Sequence, residues 1–262
     1  MSNKSTIHNS QKIMDVKDLI VNYGEGKNTF TAVKGISFHI PKNKTLGLVG
    51  ESGCGKTSTG MAILRLIPAA GGSILWQGTD ILSLSKEQFF PYRKHIQIIF
   101  QNPDSSLNPR IMIKSSLKEA MELGYPDNKQ DWNDIIADKL LLVGLNTDYQ
   151  NRYPHELSGG QLQRVGIARA LCVNPQLIIC DEPVSSLDVS IQAQILNLLI
   201  DLQDTLGLSY LFISHDLSVV RHISHDVAVM RNGHIREFGP VQSVFSDPQS
   251  TYTKKLLEAV PR

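Results

Sequence analysis

The stretch Gly50-Glu51-Ser52-Gly53-Cys54-Gly55-Lys56-Thr57 constrains this chain more than any other. It fits the pattern G-x-x-x-x-G-K-[ST], in which a glycine-rich turn aims backbone N–H groups at a phosphate. The pattern needs a strand before it and a helix after it. Thr45–Val49 is a short apolar run that reads as a buried strand, and Thr57–Leu66 carries apolar residues at helical spacing. A glycine-rich turn with a chance lysine is the alternative, and it would not require that context. At a helix N-terminus the backbone nest and the helix dipole both favour an anion. Lys56 is then placed to reach β- and γ-phosphates, and the Thr57 hydroxyl to ligate Mg²⁺. Candidate contacts to a nucleoside triphosphate are Gly50, Glu51, Ser52, Gly53, Cys54, Gly55, Lys56, Thr57 and Ser58.

A chain of 262 residues is long enough for one large α/β domain or a core with a smaller lobe. Charge is balanced, with 26 Lys+Arg against 25 Asp+Glu, so no basic footprint for nucleic acid is present. Cys54, Cys172 and Cys180 form no C-x-x-C pair, which suits a reducing compartment. Residues 1–12 are polar and read as a flexible tail without an apolar signal segment. No run of about 18 apolar residues occurs, so a chain neither secreted nor membrane-spanning is expected.

Met14–Tyr23 and Ile36–Ile40 alternate apolar and polar, and Ser73–Trp76 resembles them, which predicts an N-terminal antiparallel β-subdomain. Ile96–Phe100 reads as a buried strand. After Gln101 the chain turns to Asn102-Pro-Asp-Ser-Ser-Leu-Asn-Pro109, followed by helices over Lys114–Leu123 and Trp132–Val143. A helical insert over about 102–160 follows. Strand Leu177–Cys180, helix Ile191–Leu206, strand Tyr210–Ile213 and strand Val227–Met230 then alternate as in a parallel sheet. Arg231-Asn-Gly-His234 is a type I′ signal pairing Val227–Met230 with Ile235–Phe238 at a sheet edge, and a last helix is expected over Tyr252–Val260.

Two further stretches carry chemistry. Leu177-Ile-Ile-Cys-Asp181-Glu182 is an apolar strand ending in two carboxylates, where Asp181 is placed to hold Mg²⁺ and Glu182 to polarise a water. Leu157-Ser158-Gly159-Gly160-Gln161 sets a serine and two glycines before a helix over Gln161–Leu171, a second anion nest. An ordinary helix cap by Ser158 is the plainer reading. One chain with two phosphate grips implies two chains sharing each nucleotide.

Leu157-Ser-Gly-Gly-Gln161 resembles the signature of ATP-binding cassette (ABC) ATPases, and the remaining cassette elements follow in order. The resemblance implies that Gln101 is the Q-loop glutamine near Mg²⁺, that Ser186-Leu187-Asp188 is the D-loop, that His215 is the switch histidine at the γ-phosphate and that Tyr23 stacks on adenine. Phe100–Arg110, Tyr153–Glu156, Asp188–Gln194 and Thr251–Lys255 are similar to the dipeptide/oligopeptide/nickel importer branch, with coverage from about residue 13 to the C-terminus. The chain departs in ending its phosphate loop with Lys-Thr rather than Lys-Ser and in stopping at Arg262 without the cysteine-bearing tail of many branch members, so no iron–sulfur cluster is expected.

The implied fold is a phosphate-loop NTPase core of ABC-ATPase type, with an N-terminal antiparallel β-subdomain and a helical insert, over residues 13–262. The implied function is an ATP-binding and ATP-hydrolysing subunit, an ABC-type translocase, energising a peptide importer. A nickel or metal-chelate importer and a soluble non-transport cassette are the alternatives. Expected partners are a second ABC ATPase subunit, with a paralogue favoured over an identical copy, two transmembrane permeases and an extracytoplasmic solute-binding receptor, at the cytoplasmic face of the inner membrane. His222 and His225 read as two solvated helix residues rather than a metal pair, and Cys54 as a position where thiol reagents could act.

Overall fold

The computed structural model describes residues 11–24, 26–102, 107–124 and 132–259. Residues 1–10 of the expected tail, and 103–106 of the turn-rich stretch, lie outside them. Lys12, placed in that tail, is instead the first residue of a strand.

The chain opens with β1 (Lys12–Tyr23), β2 (Phe30–Pro41) and β3 (Thr45–Val49), then α1 (Lys56–Ile63), β4 (Gly71–Trp76) and β5 (Thr79–Asp80). A short α2 (Lys86–Phe89), closed by a Ser85–Gln88 capping box, leads to β6 (Ile96–Ile99). Helices α3 (Ile113–Gly124), α4 (Trp132–Leu142) and α5 (Gly159–Leu171) follow. The second half runs β7 (Leu177–Asp181), α6 (Val189–Leu206), β8 (Ser209–Ser214), α7 (Leu217–Ile223), β9 (Asp226–Arg231), β10 (His234–Pro240), α8 (Val241–Ser246) and α9 (Thr251–Glu258).

The strands form two sheets. One is four-stranded and antiparallel in the order β2-β1-β4-β5; the other is six-stranded in the order β10-β9-β3-β8-β7-β6, parallel except for the β9–β10 hairpin. β2 starts at Phe30, earlier than the apolar alternation suggests, because Val33 and Phe30 pair with Val21 and Tyr23 of β1. β3, β7 and β8 are buried along their whole length, which explains why they read as continuous apolar runs. Neighbouring side chains on β7 part company: Leu177 and Ile179 pack with α1 and the antiparallel sheet, while Ile178 and Cys180 pack with the helices. The parallel sheet thus separates two apolar layers. In the helical segment, Ile113, Leu117 and Met121 on α3 recur every fourth residue and bury against α4 and α5 through Trp132, Ile136 and Val165.

The edge hairpin is built as its sequence predicts. Asn232 (φ 51°) and Gly233 (φ 83°) are both left-handed, as a type I′ turn requires. The Gly233 carbonyl accepts from Lys34 N–H at 2.8 Å and its own N–H donates to the Cys54 carbonyl at 3.0 Å, so the turn ties the phosphate loop to β2.

Candidate phosphate-binding site

Parallel registry brings the C-terminal ends of β3, β8, β7 and β6 to one edge of the sheet, where open α/β sheets hold ligands. The loop from β3 to α1 lies between two other strands. A Cβ on Gly50 (φ +154°) would stand 2.1 Å from the Met230 carbonyl oxygen, and one on Gly55 (φ +108°) 2.5 Å from that of Ala32. Only glycine fits either position. Lys56 begins α1 almost completely buried, and its Nζ donates to the carbonyls of Gly50 at 2.7 Å and Glu51 at 3.0 Å. Cys54 corrects the expectation of thiol sensitivity: it is buried beneath the loop, and desolvation raises its pKa.

Across from the loop, the Thr57 hydroxyl donates to Asp181 Oδ1 at 3.0 Å. Asp181 is 7% exposed, and burial raises its pKa, with Glu182 adding to the effect and Thr57 and Lys56 opposing it. Glu182 follows in the left-handed region at φ 49°, costly for a residue with a Cβ, and is anchored there by its N–H to the Ile213 carbonyl at 2.9 Å. Its Oε2 meets Gln101 Nε2 at 3.3 Å from the end of β6 and His215 Nδ1 at 3.1 Å from the end of β8. Ser185, which the sequence reading missed, accepts from Gln101 Nε2 at 3.1 Å and donates to the Glu182 carbonyl at 3.1 Å. Its signal was a hydroxyl three residues after the acid, in the turn that must bring the chain back past the strand end.

A cleft of about 330 Å³ opens here, lined by Tyr23, Phe30, Lys56, Thr57, Gln101 and Glu182 together with Ser52, Gly53, Gly55 and Ser58; Asp181 and His215 do not line it but touch it through Thr57 and Glu182. Tyr23 is 43% exposed, and its hydroxyl lies 3.1 Å from Ser58 Oγ. The structure therefore gathers the loop, both strand-end acids, Gln101, His215 and Tyr23.

Ser158, Gly159, Gly160, Gln161 and Asp188 are elsewhere: none lines this cleft. Ser158 and Gln161 close a reciprocal capping box at the start of α5, which begins at Gly159 because its first turn needs no side chain. Gln161 also donates to the Tyr149 hydroxyl at 2.9 Å. Asp188 caps α6 by accepting from Ile191 N–H at 3.0 Å, and its pKa is lowered, chiefly by the Ser190 hydroxyl. The pair His222/His225 also needs correcting. Both are exposed and His222 lies in the last turn of α7, but His225 lies beyond that helix, where its Nδ1 accepts from Thr45 N–H at 3.1 Å and its backbone N–H donates to the Thr45 carbonyl at 2.9 Å. It is a strand-to-strand clip. Among the described residues no cluster of His, Cys, Asp or Glu could hold a metal by itself, and no helix is long and apolar enough to cross a membrane.

Comparison with known proteins agrees with this geometry. The family model described as ABC transporter matches residues 33–185. The chain is 46% identical to the oligopeptide transport ATP-binding protein OppF of Salmonella typhimurium over 98% of this chain and 80% of that protein. It is 50% identical to the oligopeptide transport ATP-binding protein AppF of Bacillus subtilis over 88% and 70%. It is 45% identical to the dipeptide transport ATP-binding protein DppF of Lactococcus lactis over 96% and 82%. A solved Clostridium perfringens structure, part of the ABC transporter complex cbiONQ, superposes with a TM-score of 0.80 at 26% identity, covering 96% of each chain. A dimeric ATP-binding cassette bound to ADP and Pi shares the fold, with a TM-score of 0.75 at 24% identity over 87% of this chain and 98% of that one. A phosphate loop facing two strand-end carboxylates, on a chain with these relatives, has one reading: the protein belongs to the ABC transporter family, as one of its ATP-binding cassettes.

Proposed function

We propose that this chain binds and hydrolyses ATP to drive an importer of di- and oligopeptides. The observation that carries the ATP reading is the convergence of Lys56, Thr57, Glu182, Gln101 and Tyr23 on one cleft, with Asp181 bonded to its Thr57. The names of the relatives, oligopeptide and dipeptide transport proteins, support the substrate. The whole of 13–262 is taken as one ATP-binding domain, with a helical subdomain over about 102–160.

In this reading Lys56 neutralises charge on the β- and γ-phosphates, and Tyr23 presents its ring to the adenine. The donor set suits Mg²⁺, because the Thr57 hydroxyl and Asp181 carboxylate are hard oxygens already 3.0 Å apart, with Gln101 beyond them. Bound there, the ion would draw charge from the transferring phosphoryl oxygens. Glu182 orients the attacking water and accepts its proton, while His215 steers the γ-phosphate and holds the Glu182 side chain in place. Positioning supplies most of the rate.

Ser158, Gly159, Gly160, Gln161 and Asp188 act on the nucleotide of a second cassette, which explains why they sit outside their own cleft. Val189, 81% exposed beside Asp188, is an apolar group that such a partner would cover. A paralogous cassette, two permeases and an extracytoplasmic receptor complete the assembly, at the cytoplasmic membrane face.

Deleting the gene and returning either the wild-type chain or Lys56→Ala tests the function. Uptake of labelled tri- to pentapeptides should vanish on deletion, return with the wild type and stay absent with the variant. Unchanged peptide uptake with lost nickel uptake would contradict the substrate.

A further inference from the structure

The peptide unit joining Gly50 to Glu51 is gripped from both sides. Its carbonyl, on Gly50, accepts from Lys56 Nζ at 2.7 Å, and its N–H, on Glu51, donates to the Tyr252 hydroxyl at 3.4 Å. In a trans peptide these two groups point in opposite directions, so Lys56 holds the plane from within the loop and Tyr252 from outside. Tyr252 belongs to α9, about two hundred residues further along the chain, and does not line the cleft.

Tyr252 is itself held firmly. It is 7% exposed, and Arg231 stacks on its ring with the guanidinium carbon 4.6 Å from the centroid. Arg231 opens the same hairpin turn whose Gly233 N–H reaches the Cys54 carbonyl. The start of α9 is pinned to β10 by Glu237, whose two carboxylate oxygens accept from Gln249 N–H at 2.7 Å and Ser250 N–H at 3.1 Å. Burial raises the Tyr252 pKa, and the neutral hydroxyl accepts from Glu51 through an oxygen lone pair.

We infer that Tyr252 is a positioning residue for nucleotide binding: through its hydroxyl the C-terminal helix fixes the Gly50–Glu51 peptide that seats Lys56. Without that contact the peptide can rotate, and the lysine loses its fixed seat beside the phosphates. The inference rests on the assignment of residues 50–57 to the phosphates.

Two substitutions in the full chain separate the ring from the hydroxyl. Tyr252→Phe keeps the packing and the Arg231 stack; Tyr252→Ala removes both. Nucleotide-free melting should follow the ring, with Phe close to wild type and Ala lower. The dissociation constant for ATP should follow the hydroxyl, weakening about 3- to 10-fold in the Phe variant although its melting is restored. Wild-type ATP affinity in Tyr252→Phe would overturn the inference, as would a Phe variant whose nucleotide-free melting falls with its affinity. If Tyr252→Ala does not fold, the Phe variant decides alone. Failure of the wild-type chain to bind ATP would instead overturn the assignment of the phosphate loop.

Discussion

His215 Nδ1 lies 3.1 Å from Glu182 Oε2, and Gln101 Nε2 lies 3.3 Å from the same oxygen. The ends of β8 and β6 thus converge on one carboxylate oxygen at the end of β7. An acid flanked by an amide donor and an imidazole, on a backbone locked at φ 49°, is a group whose direction matters more than its charge alone.

Glu182→Gln should keep the side chain's length and its approach to Gln101 and His215 but remove the base. ATP binding should persist while turnover falls by roughly 10²-fold or more. Steady-state hydrolysis beside equilibrium nucleotide binding checks this, and hydrolysis at the wild-type rate would remove Glu182 from the role.

Asp181 is charged in a place that disfavours charge. Its folded pKa is raised above its unfolded value of 3.8, so the ionised form costs stability above that raised value and costs nothing below 3.8. Asp181→Asn, which can still accept from Thr57, should therefore raise the melting temperature of the nucleotide-free chain at neutral pH. The gain should shrink as pH falls towards 4. The same variant should lose Mg²⁺-dependent stabilisation by ATP. Calorimetry with and without Mg-ATP shows both, and a variant less stable than wild type at neutral pH would contradict the account.

His225 gives the opposite sign. Burial lowers its pKa below 6.5, with Lys44 adding to the effect, and its Nδ1 must be bare to accept from Thr45. Its contribution is complete above 6.5 and is lost as pH falls through the lowered value. His225→Asn should cost stability at pH 7.5 and cost less at pH 5.5, as followed by denaturant midpoints. A penalty that grows on acidification would show that the imidazole stays useful when protonated.

The strand-loop-helix around residues 50–57 was legible because its information is local: an apolar run, glycines where only glycine fits, and a lysine opening the helix. The strand-end acids and the Asn232–Gly233 turn were legible for the same reason. Contacts between distant segments were not. Nothing near Tyr252 in sequence announces Glu51, and nothing near His225 announces Thr45, so the sequence shows Tyr252 only as part of a helix and does not show that His225, though exposed, lies past its helix and bonds Thr45. Phe30 was missed as a cleft residue because its exposure depends on pairing with Tyr23 at the mouth, which no one-dimensional pattern reveals.

Ser158→Arg, in the purified chain and in the assembled transporter, most directly tests whether this chain's signature serves a nucleotide held by a partner cassette. Ser158 is an exposed helix cap, so the substitution should cost only about 1 kcal/mol of stability. Isolated-chain ATP affinity should stay within about twofold of wild type, since Ser158 is absent from the cleft of its own chain. Hydrolysis by the assembled transporter should fail. Loss of ATP binding by the isolated chain would place the signature in cis and contradict the shared-nucleotide account.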